Sequence, residues 1–361
     1  MRVLLAPVEV AGVAGALRGG LRRRGHDAEL VVFAPHPFGL PHDRVTGTYA
    51  QRARLGLTAP FRYDVLHYQF GTTPFELLDA AWARALRRPL LLMHYWGDDC
   101  RLPEVAAARH PARARVYDAV PRDVRTTRRR LRLAGRLCHA ALVSDFELLA
   151  HVRPFFRTVY VVPTPVALPP EGTSPALPAG PPDDDDPVVF HAPSSAVVKG
   201  TAEILGALER LAATRPLRIR TVSGVPHAQV LAELACADVV VDQLNSVTPG
   251  VFALEAMALG RPVVLEYDAG QLAPFARAAP LVAATAGTLA ARVAELCDDP
   301  ERRRRLGEAG RRYVREVHAA DRVAAAVEQV YAHARLRAAG VFEATAEGVR
   351  PLGDGLAFAP A

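Results

Sequence analysis

Of the 44 basic side chains in this 361-residue sequence, one is a lysine: Lys199, in His191-Ala-Pro-Ser-Ser-Ala-Val-Val-Lys199-Gly200-Thr201; the other 43 are arginines. An ammonium is a compact, rotatable point charge and a guanidinium a planar fork. A position that keeps lysine against so strong a bias is one where the compact cation serves and the fork does not. Lys199 follows an apolar strand pattern and is expected to open a helix, where free amides and the helix dipole favour an anion. Phosphate binding is the chemistry this predicts, with a solvated helix end as the alternative.

A second group with chemical capacity lies in Asn245-Ser-Val-Thr-Pro-Gly250-Val-Phe-Ala-Leu-Glu255. Thr248 suits a helix cap and Pro249 a first helical residue, which leaves the amides of Gly250, Val251 and Phe252 free to cradle a phosphate. A capped helix without a ligand is the other reading. Glu255 falls in an otherwise apolar helical run, 252–259. A carboxylate there needs a partner, and ribose hydroxyls are suitable donors; a solvent-facing glutamate is the alternative.

The elements that must position these groups follow from periodicity. Strands are expected at 3–5, 28–33, 65–68, 90–93 and 140–143, then at 188–191, 217–222, 239–242 and 262–265, with helical patterns between them that include 12–24, 200–214, 227–236 and 250–259. Apolar strands separated by helices imply parallel sheets covered on both faces. Between the two series, residues 163–187 combine dense proline with Asp183–Asp186, which no packed element tolerates. The expected organisation is an N-terminal domain at 1–165, a linker at 166–187, a second α/β domain at 188–335 whose last helix (323–335) crosses back to the first, and a tail at 336–361. Length supports two such domains.

Composition bounds the function classes. Half the residues are hydrophobic and 23% are charged, as in a globular protein. The first residues lack a signal-peptide pattern, and no run approaches the ~18 apolar residues of a spanning helix, so a soluble, cytoplasmic protein is expected. Cys100, Cys138, Cys236 and Cys297 show no paired spacing, which argues against a zinc site or a disulfide framework. The net charge of +6 and pI of about 9.4, with Arg128-Arg129-Arg130 at their densest, raise nucleic acid or acidic membrane as partners. No aromatic interleaving or recognition-helix motif accompanies them. A solvated basic helix is expected, then weak contact with an anionic membrane surface, and no nucleic acid.

Three blocks in order carry a family resemblance: Val188-Val189-Phe190-His191-Ala-Pro-Ser194 with Lys199-Gly-Thr, Ala237-Asp-Val-Val-Val-Asp242-Gln-Leu, and Gly250-Val-Phe-Ala-Leu-Glu255-Ala-Met-Ala-Leu-Gly260-Arg-Pro-Val263. Together they resemble the donor domain of the family 4 (group 1) retaining glycosyltransferases of GT-B fold. Gly12, Leu21-Arg-Arg-Arg-Gly25-His26, Tyr63-Asp-Val-Leu-His67 and His94-Tyr-Trp-Gly97-Asp98-Asp99-Cys-Arg101 resemble its acceptor domain, and 300–313 its polar C-terminal helix. The resemblance covers about 1–335. It implies two Rossmann-like, doubly wound domains facing across a cleft. It also implies retaining transfer of a sugar from a nucleoside-diphosphate sugar, UDP favoured, to a hydroxyl or other nucleophile of a small-molecule or glycan acceptor.

On that resemblance Lys199 neutralises the donor diphosphate, Glu255 binds ribose, and the amides of Gly250, Val251 and Phe252 hold phosphate oxygens beside Thr248. Gly12, His191 and Ser194 approach the donor, His94 serves at the reacting centre, and Asp98, Asp99 and Arg101 bind acceptor hydroxyls. No metal and no cofactor beyond the sugar donor is called for, since the lysine and helix end stabilise the leaving charge. Three departures accompany these matches. Val247 stands where many members have an acid eight positions before the glutamate, Ser194 where they have an arginine, and Trp96 where a histidine precedes the glycine. Residues two apart in an extended segment share a face, so His94 is expected to substitute for that histidine. A nucleotide-sugar isomerase on the same scaffold and a degenerate binding protein are the alternatives.

Overall fold

Alternation of apolar strands and amphipathic helices produces two α/β units in the computed structural model, which describes residues 1–110, 116, 123–168 and 186–353. Unit 1 comprises residues 1–167 with 319–361, and unit 2 residues 168–318. The elements of unit 1 are β1 (Arg2–Ala6), α1 (Val13–Arg23), β2 (Asp27–Val32), β3 (Arg44–Val45), α2 (Tyr49–Arg62), β4 (Val65–Gln69), α3 (Leu78–Leu86), β5 (Leu90–His94), α4 (Pro103–Arg109), α5 (Val124–Leu137), β6 (Ala140–Val143), α6 (Phe146–Val152) and β7 (Thr158–Val161). Unit 2 contains β8 (Val188–His191), α7 (Ala196–Lys199), α8 (Thr201–Ala212), β9 (Arg218–Thr221), α9 (His227–Ala235), β10 (Val239–Val241), α10 (Val251–Ala258), β11 (Val263–Leu265), β12 (Val282–Ala283), α11 (Leu289–Asp298) and α12 (Pro300–Tyr313). The chain then returns to unit 1 with α13 (Ala320–Ala334), β13 (Gly340–Thr345) and β14 (Gly348–Pro351).

In unit 1 the sheet order is β14-β13-β7-β6-β5-β4-β1-β2-β3, parallel except for the β13–β14 hairpin. In unit 2 it is β12-β11-β10-β8-β9, with every pair parallel. The strand order reverses between β1 and β4 in the first sheet and between β8 and β10 in the second. Ligands of open parallel sheets bind outside the carboxyl ends of the strands at such reversals. Those ends carry Gln69 in unit 1 and His191 and Asp242 in unit 2.

Burial explains why these strands read so clearly. β4, β5 and β6 are buried along their whole length, as are β8, β10 and β11. The helix α13 presents Val323, Ala324, Val327, Val330, Tyr331 and Ala334 to the core that holds Val3, Leu5, Leu17 and Leu21, a spacing that lines one helical face. It meets α1 closely: a Cβ on Gly20 would lie 2.2 Å from the carbonyl oxygen of Ala320.

The residues after Arg335, expected as a tail, differ from that expectation. β13 pairs in parallel with β7 from Gly340–Thr158 to Glu343–Val161, because Phe342 and Ala344 are buried beside Tyr160 in the core. The alternation in 340–345 is too short to stand out in the sequence. Most of the expected linker, including Asp183–Asp185, lies outside the described residues, as do 111–115 and 117–122 of the arginine-rich region and the last residues, 354–361. At the linker's near end, Val166 pairs with Ala319. Among the described residues, no helix is long and apolar enough to cross a membrane.

Candidate functional site

Lys199 ends a helix rather than opening one. It closes the single turn α7, Gly200 breaks the chain with φ +71°, and α8 begins at Thr201. That break turns the ammonium inward, 2.6 Å from Asp242 Oδ1 and 2.9 Å from Gln243 Oε1. The Lys199 side chain is 12% exposed and that of Asp242 is wholly buried. Asp242 Oδ2 accepts the Gly250 amide at 3.4 Å, and a Cβ on Gly250 would stand 3.4 Å from Lys199 Nζ. The lysine, the aspartate and the amino end of α10 therefore form one cluster at the strand reversal of unit 2. The compact cation is needed because backbone closes on it from one side and a buried carboxylate from the other.

Helix α10 begins two residues later than a Thr248 cap predicts. Gly250 is its N-cap, without a side-chain cap bond. Thr248 is buried, and its carbonyl oxygen accepts Gln243 Nε2 at 2.7 Å and the Ser246 hydroxyl at 3.1 Å. Thr248 thus shapes the loop rather than capping the helix. Val251 and Phe252 form the first turn, whose amides lack intrahelical partners by construction of any helix, while the Phe252 ring lies 5.9 Å from that of Phe190. Glu255 is neither solvent-facing nor unpaired: its Oε1 lies 2.7 Å from His227 Nε2 at the start of α9.

His191, Ser194 and Gly12, expected at the donor, differ in their surroundings. His191 is buried, its Nδ1–H donates to the Val241 carbonyl at 2.9 Å, and its Nε2 accepts the Thr201 hydroxyl at 3.0 Å. With both nitrogens engaged, it ties the ends of β8 and β10 to α8, and burial lowers its pKa. Ser194 is exposed in the loop before α7. In unit 1, Gly12 at φ +84° precedes α1, but a protein carboxylate already occupies that helix end. Glu9 accepts the amides of Gly15 at 2.6 Å and Ala14 at 3.2 Å, and burial, against those bonds, pushes its pKa up to about 7.

At the end of β5, His94 is fully buried, and the Trp96 ring stacks on it with centroids 3.8 Å apart. Sharing a face with residue 96 therefore puts His94 under Trp96 instead of in the open. The His94 Nδ1 lies 3.2 Å from His67 Nε2, and His67 Nδ1 lies 2.9 Å from the Tyr331 hydroxyl. Burial lowers the pKa of His67 to about 3 and that of His94 well below its usual value. Both rings are neutral. Taking the Tyr331 hydroxyl as donor to His67 Nδ1 places the His67 proton on Nε2, which then donates to His94 Nδ1 and leaves the His94 proton on Nε2. That Nε2 has no partner among the described residues.

The residues after His94 hold the loop together. Asp99 accepts the Trp96 amide at 3.1 Å and the Gly97 amide at 2.8 Å, and burial raises its pKa to about 7. Arg101 reaches Glu147 through Nε at 2.9 Å and Nη2 at 2.9 Å, and Asp98 through Nη1 at 3.3 Å. Glu147, on α6, also meets His151 at 3.3 Å, and His151 Nδ1 accepts the Leu102 amide at 2.9 Å. Burial pushes Glu147 up, but the Arg101 guanidinium and His151 outweigh it and hold its carboxyl well below the usual range. Asp99 and Arg101 are thus fasteners of the loop, and Asp98 is exposed beside them.

In sequence, residues 191–329 match the family model described as glycosyl transferase-like. No curated protein matches the chain in sequence. Among solved structures, sucrose-phosphate synthase from Thermosynechococcus elongatus is similar over 94% of this chain and 100% of its own, at 15% identity and a TM-score of 0.64. The Anabaena HepE complex with UDP and glucose is similar over 92% and 99%, at 14% identity and a TM-score of 0.61. AviGT4, a glycosyltransferase of avilamycin A biosynthesis, is similar over 93% and 98%, at 15% identity and a TM-score of 0.53. The chain has the GT-B glycosyltransferase fold.

Within this GT-B scaffold, the departures seen in the sequence acquire physical content. Val247 is buried and its carbonyl oxygen accepts the Asp268 amide, so the acid beside the amino end of α10 is Asp242. No role was expected for Asp242, Gln243 or His227, or for His67, Tyr331 or Glu147, although Asp242, Gln243 and His67 fall within the motif blocks. Asp242 carried a signal, because it ends an apolar strand as His191 does; Tyr331, 264 residues from His67, carried none. The GT-B chain is expected to show a His94 ring that keeps its proton on Nε2 and does not titrate between about pH 8 and about pH 5 in nitrogen NMR. Tyr331→Phe, which removes the terminal donor, is expected to mix the tautomers of both rings. Folded rings that stay neutral bind fewer protons than unfolded rings of pKa 6.5, so acidification below that value favours unfolding.

Proposed function

We propose that the protein is a retaining glycosyltransferase that moves a sugar from a UDP-sugar to a hydroxyl of a small-molecule or glycan acceptor, without a metal. The observation that carries this reading is the Lys199–Asp242–Gly250 cluster at the strand reversal of unit 2, with Glu255 one turn further along α10. The Lys199 ammonium meets the diphosphate, and the amides of Gly250, Val251 and Phe252 add the positive end of a helix dipole. Glu255, held by His227, accepts hydrogen bonds from ribose hydroxyls. As the bond from the anomeric carbon to the diphosphate oxygen breaks, charge grows on the leaving group. A fixed cation and fixed amides stabilise that charge more than they stabilise the bound donor. Acceptor attack on the same face retains the anomeric configuration. The glycosyl transferase-like match over 191–329 and the UDP complex of the structurally similar HepE support the donor class.

A calorimetric and thermal-shift panel of UDP, GDP, ADP, TDP and their common sugar conjugates, run with a chelator present, tests the reading. UDP at about 100 times its dissociation constant is expected to add roughly 2.7 kcal/mol of stability. Absence of a response to any nucleotide would overturn it, and binding without transfer to any acceptor in a screen would leave a binding protein.

A further inference from the structure

Tyr49, Leu57 and Phe61 of α2 and Leu78 and Trp82 of α3 are between 40% and 70% exposed. They are five of the eight exposed large hydrophobic side chains among the described residues, so exposed apolar surface is concentrated on one pair of helices. Leu57 and Phe61 on α2, and Leu78 and Trp82 on α3, are four apart and so share a helix face, with Tyr49 about two turns before Leu57. The helices touch closely, since a Cβ on Gly56 would lie 2.7 Å from Asp79 Cβ. Trp82 Nε1 donates to the Leu57 carbonyl at 3.2 Å, and the Phe61 and Trp82 rings are 6.4 Å apart. Leu57, Phe61 and Trp82 therefore meet on one surface, with Leu78 one turn before Trp82 on α3 and Tyr49, at the start of α2, packed on Phe75 at 4.9 Å.

Its charge is predominantly positive, although Glu76, just before α3, is also exposed there. Arg54, Arg62, Arg87 and Arg88 are exposed around it and form no ion pair among the described residues, and the Arg88 guanidinium lies 5.7 Å over the Phe61 ring. Helix α2 contains no acidic residue, and the one acid of α3, Asp79, is buried. We infer that this face docks on the surface of a bilayer that carries anionic lipid headgroups. Tryptophan and tyrosine settle at the boundary between headgroup and acyl chain, with Leu57, Leu78 and Phe61 entering beside them. The four arginines find phosphate at the same depth, each adding attraction near an anionic surface. A second copy of the chain, placed across a two-fold axis, would instead set these arginines against one another. The patch is distinct from the Arg128–Arg130 run, whose Arg128 is paired with Glu104, and its role does not depend on sugar transfer.

Flotation with phosphatidylcholine vesicles, with and without phosphatidylglycerol, tests this on the full chain. The wild type is expected to float with the anionic vesicles alone, less so as salt is added. Leu57→Gln/Phe61→Gln and Arg54→Gln/Arg62→Gln/Arg88→Gln are each expected to lower partitioning at least about tenfold. Both keep the wild-type thermal midpoint, since the replaced side chains are exposed. Arg128→Gln/Arg129→Gln/Arg130→Gln serves as the control and is expected to float nearly as the wild type does. The inference is overturned by a wild type that does not float, or by loss confined to the Arg128–Arg130 variant. It is equally overturned if the wild type, without vesicles, sediments as a dimer that Leu57→Gln/Phe61→Gln converts to a monomer.

Discussion

Lys199→Met is expected to abolish two things that can be separated, turnover and part of the stability of unit 2. The ammonium lies 3.4 Å from where a Cβ on Gly250, the N-cap of α10, would stand, and loss of one such fixed charge or donor at a developing anion costs roughly 10²–10³ in turnover. It is also the partner of a wholly buried Asp242. An aspartate left there without its cation destabilises the fold by roughly 3–5 kcal/mol. Denaturant unfolding of Lys199→Met is therefore expected to show a large fall in midpoint, and the double variant Lys199→Met/Asp242→Asn to recover most of it. Turnover stays low in both. Lys199→Arg keeps a partner for Asp242 but places a planar fork where Gly250 leaves room for an ammonium, so it should preserve stability better than activity. If Lys199→Met bound UDP as tightly as the wild type, Lys199 would be a structural cation only.

The second large effect concerns Arg101, which sequence resemblance assigned to acceptor binding. Its guanidinium holds Glu147, whose side chain is 4% exposed. Arg101→Met is expected to cost roughly 3–5 kcal/mol, because Glu147 keeps only His151. The sign of the pH dependence separates this from an acceptor role. In the wild type the folded carboxyl titrates below its ordinary 4.5, so it contributes stability above that pH which is lost as pH falls through the folded pKa. Without Arg101 that contribution shrinks, and the gap between variant and wild type is expected to narrow as pH drops below about 4.5. Arg101→Met/Glu147→Gln should restore much of the midpoint at neutral pH. Thermal unfolding across pH measures both, and an unchanged midpoint with a raised acceptor KM would instead return Arg101 to the acceptor.

Much of the candidate site was legible because its residues lie close together in sequence. Lys199 announced itself by being the one lysine, and Gly250 and Glu255 by their place in a helix start after an apolar strand. Legibility failed where a side chain's role depends on a partner far along the chain. His191 looked available from its place at a strand end, yet Val241 and Thr201 use both of its nitrogens. His94 looked able to reach outward, yet Trp96 covers it and a chain of donors from Tyr331 sets its tautomer. Glu9 went unread because a carboxylate in a loop gives no sign that it will fill a helix end.

By itself the sequence determined nine of the strands and the helices between them, since a buried parallel strand demands an apolar run; it did not show β3, β7 or β12. It also determined which segments lie at the carboxyl ends of those strands, where ligands of open parallel sheets bind. Only the tertiary structure decided the pairing of Lys199 with Asp242, of Glu255 with His227 and of Arg101 with Glu147. It likewise decided that residues 340–351 extend the first sheet. A hydrogen bond or ion pair is set by distances of about 3 Å between atoms that the chain brings together from tens or hundreds of residues apart. No local pattern of residue types carries that information.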